Sequence, residues 1–322
     1  MERLPPKKRI AIVGAGISGL TCGILFAEQG YRTTIFARET GRATTSSVAA
    51  AIWFPYDAEP AARVKRWALA TFEVLRELAR TGESGVSMLD QRLFARTGEL
   101  PIPDWAHSLG ARRLSATEIP EAVFSSGYSV EVPLIDTTTH LDYLTRRFTA
   151  AGGAVHSGVY LRQLEEIRAE HEVIVNCSGV GARELVADHD VEPHRGQVAI
   201  VPKLPLPYAI VCDDPPLMYA IPRTHDCVLG GTNDISDNRD VDPADTARIL
   251  AEAGRVLALE LPPVLDQRVG LRPYRRSGVR LERGRLADGR TVLHNYGHGG
   301  AGFTLAWGCA RDVLALQQNP LA

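Results

Sequence analysis

The chain has 322 residues, 45% apolar and 23% charged, with a formal net charge of −2. That length holds two domains or one large one, and the composition is that of an ordinary globular protein. The near-neutral charge gives no reason to expect nucleic acid or an anionic membrane as partner. No apolar run approaches the roughly 18 residues of a membrane span, and five cysteines scattered at 22, 177, 212, 227 and 309 form no C-x-x-C pair.

Arg9-Ile10-Ala11-Ile12-Val13 is a short β-branched run ending at Gly14, the pattern of a buried strand. It is too short, and too soon broken by glycine, to make a secretory leader of the basic residues before it. Leu20, Ile24, Leu25 and Ala27 recur at helical spacing up to Gly30, and Thr33-Thr34-Ile35-Phe36-Ala37 reads as a second strand. The turn into the helix is Gly14-Ala15-Gly16-Ile17-Ser18-Gly19. Glycines there let a pyrophosphate lie against the helix N-terminus, so strand, glycine turn, helix and strand together predict a dinucleotide site. Where a ribose-binding acid is expected, the chain has Ala37-Arg38-Glu39. An arginine there clamps a phosphate or stacks on adenine, or is a solvated surface residue.

Thr44-Thr45-Ser46-Ser47 is a hydroxyl-rich turn leading into small residues. Val64, Trp67, Ala68, Thr71, Leu75 and Leu78 predict an amphipathic helix, whereas residues 85–135 predict short strands in no deducible order. Leu141, Leu144 and Phe148 mark another helix, closed by Gly152-Gly153. Val173-Ile174-Val175-Asn176 is a strand entering a small-residue turn at 177–182. Residues 197–201, 209–212, 219–221 and 227–229 predict a largely antiparallel sheet. Asp242-Pro243 starts a helix running to about 259, and 279–282 and 291–293 are further strands. Cys212 and Cys227 are expected to be reduced, although a hairpin between them would allow pairing. Arg272 lies in the apolar run Val269-Gly270-Leu271-Arg272-Pro273, where a guanidinium needs either an internal acid or a planar carboxylate ligand. Tyr219 is a packing residue or a hydroxyl donor, and Trp53 and Tyr56 belong to a pocket wall or to the core.

The stretch from His294 to Gly308 is the most informative. Gly297, Gly299, Gly300 and Gly302 fall within six residues, immediately before a helix running to about Gln317. Glycine admits positive φ and close backbone approach, and the helix start aims free N–H groups and partial positive charge at whatever lies there. Two such helix entries, one near each terminus, predict one extended ligand gripped at both ends.

Taken in order, several segments resemble the D-amino acid oxidase family of FAD-dependent flavoproteins. They are the Gly14–Gly19 loop, Ala37-Arg38-Glu39, 44–56, Asn176-Cys177-Ser178-Gly179, Arg195-Gly196-Gln197, Tyr219-Ala220-Ile221-Pro222, Leu229-Gly230-Gly231, Gly270-Leu271-Arg272-Pro273 and His294-Asn295-Tyr296-Gly297-His298-Gly299-Gly300. They span almost the whole chain, and the last two are the most selective. The resemblance implies an α/β fold in which an FAD-binding Rossmann-like domain (1–55, 140–200 and 285–322) is interleaved with a mixed, largely antiparallel-sheet substrate domain (56–139 and 201–284). It implies FAD as cofactor, and the scattered cysteines, with no C-x-x-C pair, give no reason to expect a metal.

By the same resemblance, Gly14, Ala15, Gly16, Ile17, Ser18 and Gly19 hold the pyrophosphate. Ala37, Arg38, Glu39, Thr44, Thr45 and Ser46 meet the adenosine and phosphate portions. Gly299, Gly302, Phe303 and Thr304 follow the flavin edge, with Ala50, Ala51, Leu161, Ser178, Gly179, Arg272, His298 and Gly300 as further cofactor contacts. Arg272 is expected to pair the substrate α-carboxylate, Tyr219 to donate to it and the Gly300 carbonyl to accept from the amine, with Tyr56 and Arg223 nearby. His298 is expected to be structural, not a base.

The implied reaction is oxidative deamination of a D-amino acid, neutral or apolar by preference, to a 2-oxo acid, ammonia and hydrogen peroxide. It proceeds by hydride transfer to flavin N5, with oxygen as acceptor. The connection 213–219 is shorter than the family's usual lid and lacks its extra tyrosine, which implies a more open pocket. Arg223, Arg275 or Arg276, if turned inward, would favour D-aspartate or D-glutamate. Oxidation of glycine or N-methyl amino acids and a non-catalytic flavin-binding module are the other readings. A cytoplasmic setting is expected, and a homodimer is left open.

Overall fold

The computed structural model describes residues 8–56 and 58–319. Residues 1–7, which hold most of the basic stretch weighed as a leader, and residues 320–322 lie outside the described residues. In chain order the strands are β1 (Arg9–Val13), β2 (Arg32–Phe36), β3 (Val86–Ala95), β4 (Arg112–Arg113), β5 (Ser126–Ile135), β6 (Ala154–His156), β7 (Val173–Asn176), β8 (Val191–Pro202), β9 (Ala209–Cys212), β10 (Met218–Pro222), β11 (Asp226–Gly230), β12 (Asp234–Ile235), β13 (Asp266–Arg275), β14 (Arg280–Arg285) and β15 (Thr291–Tyr296). The helices are α1 (Ile17–Glu28), α2 (Thr45–Val48), α3 (Ala61–Ala79), α4 (Asp104–Ser108), α5 (Thr137–Ala150), α6 (Ala182–Leu185), α7 (Pro243–Leu257) and α8 (Gly302–Gln318).

One sheet has the order β14-β15-β7-β1-β2-β6 and is parallel except for the β14–β15 pair. Its central strand β1 lies between β7 and β2 and is buried almost throughout, as its unbroken β-branched run requires. The β1–α1–β2 crossover is the unit read from sequence. α1, α5 and α8 pack together over this sheet, and α3 packs on α8. The α3–α8 approach depends on Gly308, where a Cβ would overlap the Trp67 backbone, and whose N–H donates to Thr71 Oγ1 at 2.9 Å.

The second sheet runs β12-β8-β11-β10-β9-β3-β5-β4, with β13 also paired to β8. Only β3–β9 is parallel. Residues 85–135 hold two ten-residue strands, β3 and β5, paired along their whole length, where several short strands were expected. Glycine and proline disguised β5. Gly127 sits where a Cβ would overlap the Leu93 carbonyl, and Pro133 offers its own carbonyl to the Trp53 N–H. β13 was visible only as an apolar run. β8 belongs to this sheet and β14 to the first, so 191–200 and 280–284 sit across the boundaries drawn from sequence. α7 packs on β8, β10 and β11, its start capped by Asp242, which accepts the Ala244 N–H at 2.8 Å.

All five cysteines are free and buried. Cys212 pairs with Met218 and Cys227 with Pro222. They therefore flank opposite ends of β10, roughly 13 Å apart along the strand, beyond the ~7 Å that a disulfide spans. Among the described residues no helix is long and apolar enough to cross a membrane, and no His, Cys, Asp and Glu cluster is placed to hold a metal ion.

Candidate active site

A cavity of about 530 Å³ opens along the C-terminal edge of the parallel sheet, where β1, β2, β7 and β15 end. This is where open α/β sheets bind ligands, and the volume lies in the usual ~300–1,000 Å³ range of cofactor and small-molecule sites. The wall facing it comes from β8, β9, β10 and β13 of the second sheet.

At one end the cavity is lined by Gly14, Ala15, Gly16, Ile17 and Ser18. Gly14 has φ +108°, and a Cβ there would overlap the Cys177 carbonyl. A Cβ on Gly16 would come within 2.9 Å of Ser46 Oγ, which accepts the Ile17 N–H at 3.0 Å. α1 has no side-chain cap at its N-cap and no acid in its first turn. Gly19 is the exception: it does not line the cavity, and is glycine because a Cβ would overlap the Gly14 carbonyl and prevent the loop from closing. Arg38 and Glu39 line the same end, together with two residues that sequence reading missed. Tyr160 lies under the Arg38 guanidinium at 5.5 Å, and Arg239 reaches from the second half of the chain to Glu39 at 3.2 Å.

The middle of the wall is the segment after α2, with Ala50 and Ala51, and the turn after β7, with Ser178 and Gly179. Ser178 Oγ donates to Asn176 Oδ1 at 2.7 Å, which orders that turn. Thr44, Thr45, Ser46 and Leu161 also line the cavity. Thr44 Oγ1 donates to the Gly41 carbonyl, so its hydroxyl is committed locally.

Gly299, Gly300, Gly302, Phe303 and Thr304 bring the α8 N-terminus to the cavity, again without a side-chain cap or an acid in the first turn. Thr304 Oγ1 accepts the Phe54 N–H and donates to the Phe54 carbonyl, pinning the 52–56 segment beside the helix start. His298 is buried, and Nε2 lies 3.0 Å from Asn295 Oδ1. Burial pushes it down to about 4, so it is neutral near pH 7. A neutral, bonded imidazole there orders the loop.

Arg272, Tyr219, Gly300 and Tyr56 meet at the cavity wall. Arg272 donates to the Thr232 carbonyl at 2.9 Å and to Asn233 Oδ1 at 3.1 Å, and no carboxylate pairs with it among the described residues. Buried Arg195 differs: it holds Asp245 at 2.7 Å. Burial raises the Tyr219 phenol, opposed by the nearby Arg272 charge. Three glycines with no role assigned from sequence make room for these side chains. A Cβ on Gly196 would overlap the Arg272 guanidinium, and one on Gly230 or on Gly231 would meet the Tyr219 ring. A Cβ on Gly300 would meet the Tyr56 ring. Trp53 is core, fully buried, with its indole N–H donating to the Ala68 carbonyl at 3.2 Å.

Arg223 does not reach the cavity. It is spent in a two-pronged pair with Asp226 across the β10–β11 turn, both bonds 2.7 Å. Arg275 pairs with Asp188 and Arg276 with Glu192. None of the three arginines suggested for acidic substrates is turned inward.

Residues 9–316 match the FAD dependent oxidoreductase family. The chain belongs to that family. It is 41% identical over 316 residues to a D-amino-acid oxidase of Streptomyces coelicolor, covering 95% of this chain and 96% of the relative. It is 40% identical over 316 residues to a D-amino-acid oxidase of Rubrobacter xylanophilus, covering 96% and 95%. Its fold is similar to that of a glycine oxidase from Bacillus cereus, with a TM-score of 0.81 at 18% identity, over 98% of this chain and 96% of the other. FAD is the cofactor of the family, and the residues fit it. Two uncapped helix starts face one cavity, and the glycines Gly14 and Gly16 leave their backbone bare where an anionic dinucleotide needs N–H donors.

Proposed function

We propose that the protein is a D-amino-acid oxidase that converts a D-amino acid and oxygen to the 2-oxo acid, ammonia and hydrogen peroxide. The observation that carries this reading is Arg272, a guanidinium on the cavity wall with no carboxylate partner among the described residues, beside the Tyr219 hydroxyl. A ligand α-carboxylate supplies the missing counter-charge in bidentate form. The curated relatives support the D-amino acid as substrate class.

FAD, when bound, supplies the two-electron acceptor beside the Gly299–Thr304 loop. Gly14–Ser18, Arg38, Glu39 and Ser46 would hold its dinucleotide portion. The chain's own contribution is alignment. Arg272 fixes the carboxylate. Tyr219 stays protonated because burial disfavours the phenolate, and so donates to the same group. The Gly300 carbonyl accepts from the amine. His298 takes no proton.

The β9–β10 turn is short and is held from behind: Arg96 donates its N–H to Asp214 at 2.8 Å and its guanidinium to the Pro216 carbonyl at 2.6 Å. This supports release of product without a long lid, which turnover independent of solvent viscosity would bear out. The two sheets divide the work in this reading, the parallel one carrying the cofactor and the other the substrate wall. The buried, reduced cysteines fit a cytoplasmic setting.

The test is an anaerobic absorbance spectrum with D-alanine, D-valine, D-aspartate and glycine added separately. Flavin bands that bleach with a D-amino acid but not its L-form, and return with oxygen, are expected. A flavin that no amino acid bleaches overturns the reading.

A further inference from the structure

Asn233 lies in the connection between β11 and β12, outside every motif read from the sequence. Its backbone is anchored through the buried residue before it. The Thr232 hydroxyl accepts the Gln197 N–H at 2.8 Å and donates to the Arg195 carbonyl at 3.3 Å. From this fixed point the exposed Asn233 side chain reaches two residues of the cavity wall. Its Oδ1 accepts from Arg272 Nη1 at 3.1 Å, and its Nδ2 donates to the Tyr56 hydroxyl at 3.2 Å. The amide can be turned only this way, because a guanidinium has donors and no acceptor.

Arg272 Nη1 carries two hydrogens, and the Thr232 carbonyl and Asn233 Oδ1 take both. The Nε and Nη2 hydrogens are left to a ligand and to the nearby Tyr219 hydroxyl. Both acceptors on Nη1 are neutral. They fix the direction of the fork without balancing its charge, whereas buried Arg195 is balanced by Asp245. An aspartate at 233 would hold the fork as well, but it would also supply the counter-charge that a ligand carboxylate otherwise brings. Tyr56, the other partner of Asn233, has its ring against Gly300, and Arg272 Cδ lies 3.7 Å from where a Gly300 Cβ would be. Asn233 therefore ties the cation that receives a carboxylate to the ring that flanks the Gly300 carbonyl.

We infer that Asn233 is a positioning residue for the substrate: it aims the Nε–Nη2 edge of Arg272 at the α-carboxylate and, being neutral, leaves the arginine its charge. The inference rests on the D-amino-acid oxidase reading and deepens it. Asn233 acts through Arg272, so its effect falls on capture of the amino acid and not on the step that reduces the flavin.

The test mixes the flavin-loaded protein anaerobically with D-alanine and follows bleaching, which yields a half-saturating concentration and a limiting rate. Asn233→Ala is expected to raise the half-saturating concentration by about threefold to tenfold, the scale of one hydrogen bond to a charged group, and to keep the limiting rate within about twofold. Asn233→Asp, although isosteric, is expected to raise it more than about thirtyfold, because Arg272 is then neutralised from within. A side chain kept only for the shape of its loop would give the opposite order, with the isosteric change the milder. The inference is overturned if Asn233→Asp is no worse than Asn233→Ala, if neither variant moves half-saturation by about twofold, or if the limiting rate falls as far as the affinity. If Asn233→Asp does not fold, the split between affinity and rate in Asn233→Ala decides alone. The parent reading fails distinguishably: then no D-amino acid bleaches the unaltered protein, whereas a failed Asn233 assignment leaves its bleaching by D-alanine intact.

Discussion

The two ends of the cavity are made in different ways. Around α1 the chain presents backbone: Gly14 and Gly16 are bare, and Gly19 lets the loop close. At the other end it presents side chains. Arg272 comes from β13 and Tyr219 from β10, while glycines at 196, 230 and 231 leave them room. A backbone cradle is a property of one contiguous run of chain. A side-chain constellation exists only when strands distant in sequence take their register. The first tolerates little change at single glycines, and the second is tuned by single side chains.

The sharpest way to separate the two ends is Arg272→Ala. It should lower kcat/KM for D-alanine about a hundredfold to a thousandfold by removing a bidentate charge partner, while the purified protein keeps its yellow colour. Loss of flavin in that variant would show that the two ends are not separate. The converse is Gly14→Ala. Alanine is strained at φ +108° and would overlap the Cys177 carbonyl, so flavin retention should fall at least about tenfold. The ratio of flavin to protein absorbance measures it, and undiminished retention would break the comparison from the other side.

A smaller effect lies in the buried histidines. His140, His294 and His298 are pushed down to about 4 by burial, from 6.5. A histidine neutral when folded but protonated when unfolded costs no stability above about pH 6.5. The cost grows as pH falls and is complete near the folded value. The melting temperature should therefore decline from pH 6.5 toward 5. His298→Gln, which keeps a partner for Asn295, should flatten that decline, and an unaltered slope would remove His298 from the account. The least effect is expected at Arg223→Ala. Its guanidinium is bound to Asp226 away from the cavity, so the D-aspartate to D-alanine preference should change less than about twofold. A larger change would bring Arg223 back to the substrate.

Much of the first sheet was legible because β1, α1 and β2 are local and obey helical or strand periodicity. The glycine loops were legible because only glycine suits their φ values and close contacts. β5 was not, because Gly127 and Pro133 read as breaks although β3 accommodates both. Nor was the setting of Asp213 and Asp214, which in sequence are two adjacent acids before two prolines. Which of them faces the cavity depends on the β9 pleat, and Arg96, 118 residues away, occupies the other. Arg223, which looked available in a list of arginines, is neutralised three residues on.

By itself, then, the amino-acid sequence determined the βαβ unit, the two glycine-rich helix entries and the residues that carry the family likeness, because these depend on short-range periodicity and backbone freedom. Only the tertiary structure decided that, among the described residues, Arg272 pairs with no carboxylate whereas Arg223 pairs with Asp226. Whether a charge is available is settled by which strands lie side by side, and pairing over a hundred residues leaves no local trace.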